Sequence, residues 1–426
     1  MSTASIMILS DFELTRVFFA IVSLLASAHT FSYFFQRILG IPKVIGEIVG
    51  GLVLGPTVLG FFFPSIHLWI FQAFASEGQL LSIIYWIGLL LLMFISGFEV
   101  QKSISKEDKK LTAYILLGAT AIPFLIGWFI PQCYDFTPYL GVKGDMLSLT
   151  VIIAIAVAVT SIPVISKIFI DLGIMDTRFA KIVLVIATIE DVLLWIALAI
   201  ATSLVSGGSL SISVILTKVM VTFAFFAVAL FGMPKLLELS NTSRFNLMIK
   251  SSPTGYVLFV CFLFAAIASV LNVNMIFGAF LAGIVIGMTP NPTINSVKVH
   301  IKEIGLGFFI PIYFAVVGLK LDLIHHLDIR FFLAFLFFAV VVKTLGTVFA
   351  AKLAKQDWLS SINFGVAMNA RGGPGIVVAT IAFDIGIINE TFFAVLVLMA
   401  IVTSLAAGYW FRFVLAKGWA LLKEPG

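Results

Sequence analysis

The stretch Asn369-Ala370-Arg371-Gly372-Gly373-Pro374-Gly375 decides the fold. It interrupts an apolar run of membrane-spanning length, residues 360–384, with an amide, a guanidinium, glycines and a proline. Proline removes a helical hydrogen bond and glycine weakens a helix, so a helix is expected to break here. A break at membrane depth frees backbone carbonyls and amides. These are tolerable only inside protein or beside a water-filled cavity, where they can face an ion. The glycines do not form a phosphate loop, because the chain has no GxxxxGK[ST] and no strand precedes them. A second interruption, Thr160-Ser161-Ile162-Pro163, lies in the run 147–169.

Around these two stretches the 426-residue chain is 61% hydrophobic and 11% charged, with a mean hydropathy of +1.16. Soluble domains carry about 25% charged residues. This composition excludes a soluble globular enzyme, a disordered chain and a secreted disulfide scaffold. The apolar residues come in long runs, which excludes an alternating outer-membrane barrel. The expectation is an all-α polytopic membrane protein. A span needs about 20 apolar residues. Thirteen runs qualify: 13–36, 41–60, 79–98, 110–131, 147–169, 179–204, 211–235, 254–271, 273–289, 305–323, 329–353, 360–384 and 388–415. The eighth and ninth are divided only by Asn272-Val273-Asn274. The first run has no cleavage signal after it and reads as a retained helix.

The cations set the orientation. With the N-terminus outside and the C-terminus cytoplasmic, inside loops collect Lys102, Lys106, Lys109, Lys110, Lys167, Arg178, Lys181 and Arg244, among others. Outside regions hold Arg16, Lys143, Lys218, Lys320 and Arg330. That asymmetry is the positive-inside signal. It accounts for the net charge of +5 and pI near 9.1 without a nucleic-acid partner. Cys133 and Cys261 have no metal-ligand spacing with any His. No activated nucleophile or metal cluster points to an enzyme. No cofactor is implied, nor any metal beyond a transported cation.

An internal repeat runs through the spans. Gly50-Gly51-Leu52-Val53-Leu54-Gly55 in span two resembles Ala282-Gly283-Ile284-Val285-Ile286-Gly287 in span nine. Phe94-Ile95-Ser96-Gly97 in span three resembles Phe314-Ala315-Val316-Val317-Gly318 in span ten. Both pairs lie seven spans apart, as do the interrupted spans five and twelve. An odd offset threads the second copy the opposite way. Inverted-topology repeats with matching broken helices are a transporter signature, with the substrate site near the bilayer midplane.

Four charges lie deep in the spans: Glu190 and Asp191 in span six, Lys343 in span eleven and Arg371 in span twelve. Each acid or lysine at a helix centre costs about 2.5–3.5 kcal/mol on translocon scales, and such residues are functional by default. Adjacent helical residues point about 100° apart, so Glu190 and Asp191 need not share one site. Either acid is a possible proton carrier. Lys343 reads as a counter-ion to one of them, or as a lysine that gives up its proton. Arg371 stays charged and balances acids or helix carbonyl ends at the broken span. Glu47, near the inside end of span two, is expected to snorkel or cap. Glu99, Lys320, Asp322 and Asp384 are expected at the interfaces, and His325-His326 in a solvated outer loop.

The motif Gly46-Glu47-Ile48-Val49-Gly50-Gly51-Leu52-Val53-Leu54-Gly55-Pro56 resembles the second span of the cation:proton antiporter-2 family. Thr160-Ser161-Ile162-Pro163-Val164 resembles its first broken helix and Ile189-Glu190-Asp191 its acidic pair. Phe314-Ala315-Val316-Val317-Gly318-Leu319 resembles its tenth span, and Arg371-Gly372 its second broken helix. The likeness covers nearly the whole chain. It implies a sodium/proton antiporter-like fold with two broken crossing helices, and a homodimer. It also implies a division into 1–104 as a first dimerisation scaffold half, 105–205 as a first core half and 206–250 as a linker helix. Residues 251–325 would be the second scaffold half, and 326–426 the second core half with a short cytosolic tail.

The resemblance maps the central cation and proton carrier to Asp191, and the core lysine to Lys343. Glu190 departs from the paired Asp of many electrogenic members, which bears on stoichiometry. The chain ends shortly after its last span, so the nucleotide-binding domain of glutathione-gated potassium efflux members is not expected. The expected function is exchange of a monovalent cation, sodium or potassium, for protons across the plasma (inner) membrane by alternating access. Thr160, Ser161 and carbonyls freed at Pro163, Asn369, Gly372, Gly373 and Pro374 would complete the shell around Asp191 and Glu190, with Lys343 and Arg371 balancing charge. The alternatives are a potassium channel of the same fold and a non-transporting sensor or scaffold.

Overall fold

In lipid every backbone polar group must be satisfied within its own segment, so long apolar runs fold as helices. The structure, a computed structural model, describes residues 10–39, 42–72, 74, 77–98, 108–205, 212–236, 247–289 and 292–423. Glu99, Lys102, Lys106 and Arg244 lie outside the described residues. All thirteen apolar runs form helix over most of their described residues, with the fifth broken at 159–161 and the twelfth at 369–371. Ten of the described helical segments are long and apolar enough to cross a membrane, and three shorter apolar ones occupy the remaining positions. The protein is a multi-pass integral membrane protein.

In chain order the principal helices are α1 (Asp11–Phe34), α2 (Lys43–Leu54), α3 (Glu77–Phe98), α4 (Lys109–Gln132) and α5 (Met146–Ala158). Next come α6 (Ile162–Asp171), α7 (Arg178–Val205), α8 (Ile212–Ala227), α9 (Pro253–Val270) and α10 (Met275–Met288). The last are α11 (Ile294–Leu319), α12 (Ile329–Leu353), α13 (Trp358–Met368), α14 (Gly372–Asp384) and α15 (Glu390–Ala416). The narrow division between α9 and α10 is built by its two asparagines. Asn272 takes φ = 56°, a left-handed conformation that Asn adopts more readily than most residues. Asn274 then caps α10 by accepting from the Ile276 amide at 2.9 Å.

The chain forms two compact units. One is residues 1–92 with 302–325; the other is residues 93–301 with 326–426. In the first unit, α2 lies against the end of α11. A Cβ on Gly51 would overlap the Ala315 backbone, and one on Gly318 would meet the Leu52 amide at 2.7 Å. In the second unit, a Cβ on Gly283 of α10 would lie 2.9 Å from the Gly97 Cα on α3. The segments that resemble each other in sequence therefore make corresponding contacts. Span two meets span ten in one unit, and span nine meets span three in the other. Small residues let such backbones approach closely in membranes.

Glu47 differs from its expectation. It makes no capping bond and is buried, with Oε2 lacking a hydrogen-bond partner. The reason is its register: it lies one turn before Gly51, on the face of α2 that is covered.

Within the second unit, the segment before α5 and the segment after α14 are tied by backbone bonds. The Gly141 amide donates to Ile387 O and the Lys143 amide to Gly386 O, both at 2.9 Å, and the Asn389 amide donates to Tyr139 O at 3.1 Å. At another place in the unit, Phe169, Phe179, Phe364 and Phe411 centre an apolar cluster that includes residues of α6, α7, α13 and α15.

Candidate functional site

The site lies where two helices stop and restart. The fifth run is helical as α5 to Ala158 and resumes as α6 at Ile162. The twelfth is helical as α13 to Met368 and resumes as α14 at Gly372. The prolines mark the restarts. Pro163 lies in the first turn of α6 and Pro374 in that of α14, where a missing N–H is harmless. Gly372 and Gly373 likewise open α14, while Asn369, Ala370 and Arg371 form the interruption itself.

The two interruptions are bonded to each other. The Ser161 amide donates to Ala370 O at 2.6 Å, and the Thr160 hydroxyl donates to Met368 O at 2.7 Å. The Ser161 hydroxyl caps α6 by accepting from the Val164 amide. Asn369 Nδ2 donates to Thr344 Oγ1 and Gly365 O, both at 2.9 Å. Gly372 has φ = 33°, and a Cβ there would lie 2.8 Å from Ser161 Oγ. Glycine is required both by that conformation and by the close approach of the two breaks.

Both deep cations serve the end of α5. Lys343 Nζ donates to Ala158 O, to Thr160 Oγ1 at 2.7 Å and to Glu190 Oε1 at 2.7 Å. Arg371 donates to Ala156 O and Val157 O at 3.2 Å, to Ala339 O at 2.9 Å and to Asn369 Oδ1 at 2.9 Å. The last carbonyls of a helix carry partial negative charge and have no intrahelical partner. Lys343 and Arg371 supply those partners; both are fully buried.

The acids divide. Glu190 pairs with Lys343, and both side chains are fully buried. Asp191 is only 3% exposed, and its Oδ1 has no hydrogen-bond partner among the described residues. Glu190 Oε2 is also without one. A buried oxygen with unused lone pairs is costly unless something binds it. The chemistry open to such an oxygen is to take up a proton or a desolvated cation. Both act on the same lone pairs, so one excludes the other.

The structure thus forms two bonded groups, Glu190 with Lys343 and Thr160, and Arg371 with Asn369, both tied to the last carbonyls of α5, with Ser161 joined through the backbone and Asp191 bonded into neither. Two further contributors went unread in the sequence. Thr344 accepts from Asn369, and the Ser404 hydroxyl accepts from the Gly372 amide at 3.1 Å. Their only signal was a hydroxyl within a membrane span, in the case of Thr344 directly after Lys343. The carbonyls of Ala158 and Met368 had no sequence signal, because any residue type supplies one.

Residues 22–417 match the family described as "Sodium/hydrogen exchanger, transmembrane". The K(+)/H(+) antiporter 1 of Saccharomyces cerevisiae is 31% identical over 374 residues, covering 85% of this chain and 42% of the yeast protein. The Na(+)/H(+)-K(+) antiporter GerN of Bacillus cereus is 28% identical over 370 residues, covering 86% of this chain and 88% of its own. The chain thus spans under half the length of the yeast relative and most of the bacterial one. Among solved structures, the sodium proton antiporter MjNhaP1 from Methanocaldococcus jannaschii shares the fold. Its TM-score is 0.57 at 14% identity, over 94% of this chain and 99% of that one. On this match the chain belongs to the sodium/hydrogen exchanger transmembrane family.

Proposed function

We propose that the protein exchanges a monovalent cation for protons, with Asp191 as the carrier. One observation carries this reading. The deep lysine is satisfied by Glu190 and by Thr160 of the first helix break, which leaves the neighbouring Asp191 with a buried oxygen that has no hydrogen-bond partner among the described residues. The names of the relatives, Na(+)/H(+) and K(+)/H(+) antiporters, agree with it. Alkali cations prefer oxygen ligands, and interrupted helices can supply them from the backbone near residues 159–161 and 369–371. Glu190 holds Lys343 and tunes the site. Arg371 keeps the end of α5 neutralised while the charge on Asp191 changes.

Exchange needs no energy source beyond the two gradients. A proton on Asp191 displaces the cation, and the cation displaces the proton. The protein would lie in the plasma (inner) membrane with its N-terminus outside, as the cation asymmetry of the loops indicates. It would work as a homodimer, with spans one to three and eight to ten as scaffold and spans four to six and eleven to thirteen as the moving core.

The test is dye-monitored proton movement in proteoliposomes, with sodium, potassium and lithium compared under an imposed potential. Cation addition is expected to drive saturable proton release, and Asp191→Asn to abolish it. Cation entry without matched proton movement would instead make the protein a channel.

A further inference from the structure

The chain after α15 is built into the second unit. Gly418, at φ = 68°, ends α15 with the Gly418 amide on Leu415 O and the Trp419 amide on Val414 O. This is the left-handed glycine stop that reverses a chain at a helix end. Residues 419–423 then return over α13. Asn363 Nδ2 donates to Leu421 O at 2.9 Å, and Ser360 Oγ accepts from the Lys423 amide at 3.1 Å. Asn363 is fixed in turn by the Trp410 indole N–H, which donates to its Oδ1 at 2.9 Å. Asn363 and Ser360 are buried, so these bonds satisfy polar groups that water does not reach.

Leu421, 7% exposed, belongs to the cluster that holds Phe169 of α6, Phe179 of α7 and Phe364 of α13. It therefore joins the cluster shared by one half of each broken helix. The return segment is not packed on every side. A cavity of about 410 Å³ lies beside it, walled by Ile174, Arg178, Phe179, Leu415, Trp419 and Leu422. The segment is thus a strap held by two hydrogen bonds between its backbone and α13 side chains and by the inserted Leu421, with Leu422 packed against the same cluster and a glycine at its root.

The far end of α13 carries the site. Met368 O accepts from Thr160, and Asn369 Oδ1 accepts from Arg371. Ser360 and Met368 are eight residues apart on one helix, about 12 Å. We propose that residues 418–423 are a positioning strap for the carboxylate site. Seated, the strap fixes α13 and, through Met368, Thr160 with the Lys343–Glu190 pair that Asp191 adjoins in sequence. Lifted into the cavity side, it leaves Asn363 Nδ2 and Ser360 Oγ without the bonds it supplies, slackens α13 and weakens cation binding. The strap stays seated through the transport cycle, and anything that pulls on it acts on the site. The proposal rests on the exchange reading for its consequence, but not for its geometry.

Two readouts test it in the full chain. The first is amide deuterium uptake across residues 358–371 in purified protein. The second is the apparent KM for the cation in proteoliposomes. Leu421→Asp is expected to raise uptake over 358–371 while leaving 138–144 unchanged, and to raise KM several-fold with the maximal rate largely kept. Leu421→Met is expected to behave as wild type. If Leu421→Asp does not fold, Trp410→Phe removes one bond to Asn363 and is expected to move both readouts less, in the same direction. A Ser360→Cys/Lys423→Cys pair, oxidised, is expected to exchange at the reduced protein's rate.

Wild-type uptake and KM in both Leu421→Asp and Trp410→Phe would overturn the strap. So would a cross-linked protein that stops exchanging until it is reduced, since the strap would then have to lift each turnover. If wild-type protein exchanged no cation for protons, the function would fall, and deuterium uptake alone would still decide the strap.

Discussion

Glu190 and Asp191 are neighbours in sequence with opposite surroundings. Glu190 is half of a fully buried ion pair with Lys343. Removing one partner of such a pair leaves an uncompensated buried charge and costs about 3–5 kcal/mol. Glu190→Gln is therefore expected to lower the melting temperature of the purified protein. Glu190→Gln/Lys343→Met is expected to recover only part of the loss, because the Ala158 carbonyl then loses its donor; a Glu190→Gln protein that melts like wild type would mean that the pair contributes no stability. Asp191 predicts a different signature. A carboxylate must be ionised to hold a cation, so protons and cations compete for it. As pH falls, the apparent KM for the cation should rise while the rate at saturating cation changes less. Measuring initial rates against cation concentration at several pH values checks this, and a pH-independent KM would remove Asp191 from the competition.

At the scale of the element, the two interrupted helices show what a sequence can and cannot reveal. Their existence was legible, because polar residues, glycine and proline inside apolar runs have few other uses. Their limits were less so. Proline signals the restart of a helix, so the true stops, Ala158 and Met368, fall five residues before Pro163 and six before Pro374. The depth of Lys343 and Arg371 was legible as well. Their shared target was not, since the carbonyls of Ala156, Val157 and Ala158 look like any others until α5 is seen to end there. The burial of Glu47 was misjudged because position along a span says nothing about which face is covered. Gly372 is the element's most constrained point. Gly372→Ala combines an unfavourable φ with crowding against Ser161, and strain of that kind costs about 1–3 kcal/mol. Thermal melting should show that loss, whereas Gly373→Ala, with no atom within 4 Å of the added Cβ, should cost less.

For the whole molecule, the thirteen helical positions followed from hydropathy alone, because lipid leaves an apolar segment little choice but a helix. The correspondence between glycine contacts in the two units also traces back to the repeat. Orientation is open to direct measurement. In a Cys133→Ser background, a Lys143→Cys protein is expected to react with a membrane-impermeant thiol reagent in intact cells, and Lys417→Cys only after permeabilisation. The reverse pattern would invert the topology.

The bonding of early segments to late ones has a consequence for synthesis. Lys343 follows its partner Glu190 by 153 residues, and Arg371 follows the Ala156 carbonyl by 215. At about 5–20 residues per second, the ribosome needs about 8–30 s to make Lys343 after Glu190. Through that interval the nascent chain holds two acids and a bare helix end, with the basic residues that will answer them not yet made. The first half must therefore either wait near the translocon's aqueous channel or borrow a temporary partner. Membrane insertion of this protein is then a process with a built-in delay, and quality-control machinery has a defined window in which to see it.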